Sequence, residues 1–210
     1  MEHQQRFDAA AATWDEEPRR VKLAGDLAQA VRGAVPLSPD MDLLDFGCGT
    51  GLVSLALLPQ VRSVTGVDSS RGMLEVLEQK IRVQQVEGYR IRHVDLNAGD
   101  TLEGQYSLVL SSMTLHHVPE VPALLSEFHR VLAPGGCLCL MDLDSDGGLF
   151  HENTEGVFHN GFDREALREV VRRSGFEAIE FVTAAEVSKP DATGAMRTFP
   201  VFLMTAWKGR

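Results

Sequence analysis

Three glycines set two apart, Gly47, Gly49 and Gly51 in LLDFGCGTGL, follow an apolar run that ends at Asp45 and Phe46. Glycine lets a backbone approach a ligand where any Cβ would collide. Gly47, Cys48, Gly49 and Gly51 are therefore candidates to hold a nucleotide-like molecule. Asp68 lies seventeen residues beyond Gly51, where a carboxylate accepts hydrogen bonds from two ribose hydroxyls and disfavours a 2′-phosphate. The dinucleotide pattern G-x-G-x-x-G is not met, because Leu52 stands where its last glycine would be. NAD is a poor match. Asp45 and Asp68 each close an apolar run, and a carboxylate at the end of a buried strand needs a partner.

A second set of residues is suited to moving a proton. MTLHHVPE carries His116 and His117, and histidine is the side chain whose ordinary pKa suits acid–base work near neutrality. Neighbours in a turn point apart, which predicts that at most one of the pair faces a pocket. FHENTEGVFHNGFD adds His151 and His159 as pocket-lining candidates. In RFDAAAATWDEEPRR, Phe7 and Trp14 are placed to cover a ligand. His117, His151 and His159 show no tight zinc spacing, so no metal is expected. Cys137 and Cys139 share one face of a strand by alternation and read as core.

The elements that must position these groups alternate along the chain. Helical periodicity runs from Pro18 to about Val35, then a strand at Met41 to Phe46 enters the glycines, and LVSLALL reads as a helix closed by Pro59. Strands follow at about Ser63 to Val67, Tyr89 to Val94, Tyr106 to Leu110 and Gly136 to Leu143. Helices fall after Ser70, from Val121 to Leu132, and in GFDREALREVVRRSG, with Asp163 as N-cap and Gly175 as the closing glycine. This order predicts an α/β fold with a doubly wound parallel sheet. FEAIEFVTAAEV and FPVFLMTAW have no helix between them, which predicts an antiparallel pair at the sheet's end.

Composition narrows the partners. The chain has 210 residues, a formal net charge of -10, 44% hydrophobic residues and three cysteines. An acidic chain without a basic cluster repels a phosphate backbone, so nucleic acid is not expected. Three cysteines, an odd number, fit reduced thiols. Neither a leader-like start nor a run long enough to span a bilayer is present, which leads us to expect a cytoplasmic protein that does not enter membranes.

Taken in order, LLDFGCGTG, VTGVDSSRGML, HVDLNAG, YSLVLSSMTLHHV and RVLAPGGCLCLMD resemble the class I S-adenosylmethionine-dependent methyltransferases, in particular those acting on small molecules, over nearly the whole chain. The resemblance implies a Rossmann-like seven-stranded sheet with its last strand antiparallel. It also implies S-adenosyl-L-methionine as cofactor. Backbone at Gly47, Cys48 and Gly49 would face the methionine moiety, Asp45 would order the loop, and Asp68 would hold the ribose. Ser69 and Met73 would flank the adenine, with Asp95 at its amino group and Leu96 giving a backbone contact. Ser111 would line the methionine side, although Ser69 read locally is equally a helix cap and Met73 equally core.

SSMT stands where nucleic-acid amine methyltransferases of this class carry Asn/Asp-Pro-Pro-Tyr, and Ser107 replaces the usual Asp of the fourth strand. The expectation is a single domain over residues 1–210, with a helical lid or extension at 1–36 and the core at 37–210. It moves a methyl group to an O, N or C atom of a small-molecule acceptor, as a monomer or homodimer. His117 and His116 are the candidate bases, and Trp14, His151 and His159 are expected near the acceptor. The rival reading is a cofactor-binding regulatory or scaffold protein without turnover.

Overall fold

The computed structural model describes residues 2–191 and 193–210. After α1 (Glu2–Ala10) and a 3-10 turn (Ala11–Glu16), the chain alternates helices and strands. These are α2 (Pro18–Ala34), β1 (Asp42–Phe46), α3 (Leu52–Leu57), β2 (Ser63–Asp68), α4 (Arg71–Gln84), β3 (Tyr89–His93) and β4 (Tyr106–Ser112). There follow α5 (Val121–Val131), β5 (Leu132–Leu143), α6 (Arg164–Arg173), β6 (Phe176–Pro190) and β7 (Met196–Lys208). The strands form one seven-stranded sheet in the order β3-β2-β1-β4-β5-β7-β6.

The first five strands pair in parallel, and β7 inserts antiparallel between β5 and β6. Only a short connection separates Pro190 from Met196, too little for a crossover helix, so β6 and β7 return as a hairpin. Two apolar layers sandwich the sheet. On one face Leu44, Val109 and Leu138 pack with Phe128 of α5 and Val171 of α6; on the other Leu43, Leu108 and Cys139 pack with Leu27 and Val31 of α2 and Leu57 of α3. Central strands buried on both sides explain why β1 and β4 read as continuous apolar runs. Truncating fully buried Phe128 to alanine would cost about 3–5 kcal/mol.

Local signals set the helix ends. Ser70, rather than Ser69, caps α4 by accepting from the Met73 N–H at 3.2 Å, and Asp163 caps α6 through the Ala166 N–H at 2.8 Å. β5 begins at Leu132, four residues ahead of the expected Gly136, because an irregularity between Tyr106 and Leu108 lets Tyr106 pair with Leu132. The amino-terminal segment folds back over the carboxyl edge of β1, β2 and β4, where the side chains expected to do chemistry gather.

Candidate functional site

The loop after β1 opens a cavity of about 460 Å³, within the range of small-molecule sites. Gly47 has φ +70, and an added Cβ would lie 2.2 Å from Thr114 Oγ1, so only glycine lets the loop pass this side chain. Gly49 has φ +53 and faces open space. Its N–H donates to Asp68 Oδ2 at 2.8 Å, while Asp68 Oδ1 accepts the Ser70 N–H at 2.8 Å. A carboxylate has about four lone-pair directions, so Asp68 braces the loop and still has capacity to accept from a ligand. Burial raises its pKa, against the pull of those backbone donors.

Gly47, Cys48, Gly49, Asp68, Ser69, Met73, Asp95 and Leu96 all line this cavity. An open glycine cradle, a strand-end carboxylate, apolar Met73 and a polar turn at Asp95 make a donor set that fits an adenosine bearing an amino acid. Burial pushes the Cys48 thiol well up, which keeps it protonated and unsuited to nucleophilic work.

Three expected cofactor residues lie elsewhere. Gly51, with φ +80, is the N-cap of α3 and sits under Leu77 and Leu55. Ser111 turns into the opposite layer, its hydroxyl buried without a partner among the described residues, and Ser112 takes the cavity side. Strand alternation makes one residue decisive here. Asp45 points beneath the loop, 1% exposed, with Oδ1 unpartnered among the described residues. Desolvation raises its pKa to about 7, opposed by the Ser54 hydroxyl and reinforced by the charge of Asp68.

The fourth strand delivers the histidines. Backbone at Met113 is left-handed, φ 53, and the chain then makes a 3-10 turn over Leu115–His117. Both imidazoles reach the cavity, their ring centroids 4.1 Å apart, so the expectation that at most one would do so fails. The tight turn, instead of splaying the neighbours, packs their rings together at a tilt of 49°. His116 Nδ1 lies 2.7 Å from Asp142 Oδ1, and the Asp142 carboxylate also accepts the N–H groups of His116 at 3.1 Å and Leu143 at 2.7 Å. With Nδ1–H donated to a carboxylate, Nε2 is the nitrogen left as acceptor.

His117 Nδ1 lies 2.7 Å from the Gly156 carbonyl and ties the turn to the following loop. His151 packs 4.9 Å from the His116 ring, with Nε2 buried and unpartnered among the described residues. Desolvation, then the nearby His116 and Lys189 charges, lowers its pKa to about 4. His159 does not line the cavity: Nε2 is 3.0 Å from the Val118 carbonyl and the ring stacks near Phe162.

Sequence reasoning missed Asp142. Its signal was available, since it is a carboxylate at the carboxyl end of a buried strand, as Asp45 and Asp68 are.

The amino-terminal segment covers the cavity. Phe7 packs 5.8 Å from Trp14 and edge-on to His117 at 5.4 Å, and Arg20 lies 3.8 Å over the Trp14 ring. Polar contacts fasten it to the cofactor-side loops. Gln4 Nε2 donates to Asp95 Oδ2 at 2.6 Å, Asp8 accepts from Ser70 Oγ at 2.6 Å and the Gly72 N–H at 2.9 Å, and Asp15 accepts from Thr50 Oγ1 at 2.6 Å and pairs with Lys80.

A family model described as a methyltransferase domain matches residues 18–180. The chain belongs to that family. These are the class I S-adenosylmethionine-dependent methyltransferases that the motifs resemble, and the sheet order with its antiparallel β7 agrees. An uncharacterized methyltransferase of Schizosaccharomyces pombe is 27% identical over 163 residues, covering 70% of this chain and 57% of that protein. The chain thus spans little more than half of that relative. A malonyl-[acyl-carrier protein] O-methyltransferase of Methylovorus is 28% identical across 91% of this chain and 69% of its own length. Among solved structures, a phosphoethanolamine N-methyltransferase of Haemonchus contortus in complex with S-adenosyl-L-methionine superposes with TM-score 0.71 at 19% identity, covering 89% of this methyltransferase chain and 52% of that one.

Proposed function

We propose that this methyltransferase transfers a methyl group from S-adenosylmethionine to an O, N or C atom of a small-molecule acceptor, and that His116 removes the acceptor's proton. The observation that carries the reading is the His116–Asp142 pair opening onto the same cavity as the glycine loop and Asp68. When bound, the donor supplies an electrophilic methyl group on a sulfonium, a good leaving group. The protein's work is then chiefly positioning, which contributes up to about 7–11 kcal/mol in favourable cases.

Gly47, Cys48 and Gly49 would hold the amino-acid part by backbone contact, Asp68 the ribose, and Met73 with the Asp95–Leu96 turn the base. An acceptor hydroxyl or amine placed against His116 Nε2 loses its proton to that nitrogen. Asp142 fixes the ring and stabilises the imidazolium as it forms. Phe7 and Trp14 exclude water from the reacting atoms. The segment before α2 acts as a lid on a single domain, and α2, whose Leu27 and Val31 pack in the core, belongs to that core rather than to the lid expected over 1–36.

A small acceptor, rather than nucleic acid, is supported by the net charge of -10. Three free, buried cysteines support a cytoplasmic setting, and no helix among the described residues is long and apolar enough to cross a membrane. The protein would act as a monomer or homodimer. Calorimetric titration with S-adenosylhomocysteine tests the donor site; absence of binding, or binding of NADH in its place, overturns the reading.

A further inference from the structure

Four cations, Arg6, Arg19, Arg20 and Lys189, line the cavity of a chain that is otherwise acidic. They come from three separate elements, α1, α2 and β6, so the grouping is made by the fold. Among the described residues only Arg19 of the four has a carboxylate within ion-pair distance, Glu17, which takes two of its N–H groups at 3.0 and 3.3 Å. Arg6 donates to the Asn153 carbonyl at a long 3.4 Å. Arg20 stacks on Trp14 and donates to one acceptor, the Trp14 carbonyl at 3.3 Å, out of five N–H groups. Lys189 stands 4.2 Å over the Phe150 ring with no hydrogen-bond acceptor among the described residues.

Nearby acids offset these charges only in part: Glu17 and Asp15 also act on Arg20, and Glu152 and Asp146 on Lys189, with no hydrogen bond to either among the described residues. Glu17 is committed to Arg19, Asp15 to Thr50 and Lys80, and Asp146 to the N–H groups of Gly148 and Phe150; Glu152 acts on Lys189 and Arg19 only at longer range. Desolvation lowers the pKa of both Arg20 and Lys189; Glu17 opposes it at Arg20 and Glu152 at Lys189, and Arg19 reinforces it at both. Arg6 and Arg19 are exposed, whereas Arg20 and Lys189 are half-buried in the cavity wall, where a charge without a close partner is unfavourable unless an anion joins it.

The rest of that wall is apolar, with Leu23, Leu27 and Val187 beside the two aromatic rings. Ring contacts then lead from Lys189 over Phe150 to His151, 4.9 Å on, and from His151 to His116, a further 4.9 Å. The cationic wall and the base are thus joined through two side chains.

We propose that Lys189 forms an anion-binding subsite, and that the methyl acceptor is an organic anion with a carboxylate or phosphate on an apolar body. The inference rests on the methyltransferase reading for the word acceptor, but the subsite itself does not. The charged group docks on Lys189, the body lies along Leu23, Leu27 and Val187, and a separate hydroxyl or amine meets His116.

The test titrates the full chain, saturated with S-adenosylhomocysteine, with 3-phenylpropanoate, 2-phenylethyl phosphate and neutral 3-phenylpropan-1-ol, following Trp14 fluorescence and heat. At least one anion should bind about tenfold more tightly than the alcohol, the scale of hydrogen bonds to charged groups. Which anion prevails identifies the head group as carboxylate or phosphate. Lys189→Met should abolish most of that preference while S-adenosylhomocysteine affinity stays unchanged. Equal affinity for acid and alcohol, no saturable response to either anion, or an undiminished preference in Lys189→Met overturns the proposal. If S-adenosylhomocysteine fails to bind, the same titration on the chain alone separates the two ideas, since selective anion binding then upholds the subsite while the methyltransferase reading falls.

Discussion

His116 Nδ1 and Asp142 Oδ1 meet at 2.7 Å with both side chains at most 2% exposed. A carboxylate held there by two backbone N–H donors orients an imidazole toward a cavity shared with the glycine loop. Replacing Asp142 with Asn should lower kcat by about 10²-fold or more, because the amide no longer selects the tautomer with Nε2 unprotonated. The pH profile of kcat should shift as well, while S-adenosylhomocysteine affinity holds. Parallel loss of donor affinity and melting temperature, with an unshifted profile, would assign Asp142 a structural role only.

Asp68 serves both the loop and the cavity. Asp68→Ala should weaken S-adenosylhomocysteine binding by about 1.5–3 kcal/mol, read by calorimetry. Unchanged affinity would remove it from the ribose site.

Asp8 accepts two hydrogen bonds at the amino end of α4. Each is worth about 1 kcal/mol net, so Asp8→Ala should loosen the covering segment and speed S-adenosylhomocysteine release by several-fold in stopped-flow Trp fluorescence. The core should melt as before. An unaltered release rate would mean that the segment does not gate the site.

Two buried groups give stability opposite pH slopes. The Asp45 carboxyl, raised by burial to about 7 from 3.8, holds a proton in the folded state that the unfolded chain has lost. Its effect is greatest below about pH 4 and fades as pH rises toward 7, at about 1.4 kcal/mol per unit of displacement. Asp45→Asn should therefore gain on the native protein between pH 5 and pH 8. His151, lowered by burial to about 4 from 6.5, contributes stability above pH 6.5 that is lost as pH falls to 4. His151→Phe should flatten the acid limb. Urea midpoints at pH 4.5, 6 and 8 read both, and parallel curves for variant and native protein would contradict the buried titrations.

Much of the fold was legible because it rests on local periodicity: the apolar runs of β1 and β4, the glycines after β1, and the absence of a helix between β6 and β7. Asp68 was legible for the same reason, standing at a strand end. Ser111 against Ser112 was not, since a choice between faces depends on a register one residue wide. The packing of His116 against His117 depends on a 3-10 turn with a left-handed residue before it, which no spacing announces. His159 was drawn away by the Val118 carbonyl, and Arg20 and Lys189 line one cavity from α2 and β6, 169 positions apart in the chain.

One short segment touches both halves of the cavity. Gln4 and Asp8, a helical turn apart, grip the loops expected to hold the donor, while Phe7, between them in sequence, reaches the histidine side. Whatever free energy the donor spends or gains in settling that segment is therefore felt by the acceptor, and thermodynamic reciprocity returns the same factor to the donor. The two ligands would bind cooperatively without touching: a chain carrying S-adenosylhomocysteine should take up an acceptor more readily than a bare one, and the acceptor should in turn slow the departure of the spent cofactor.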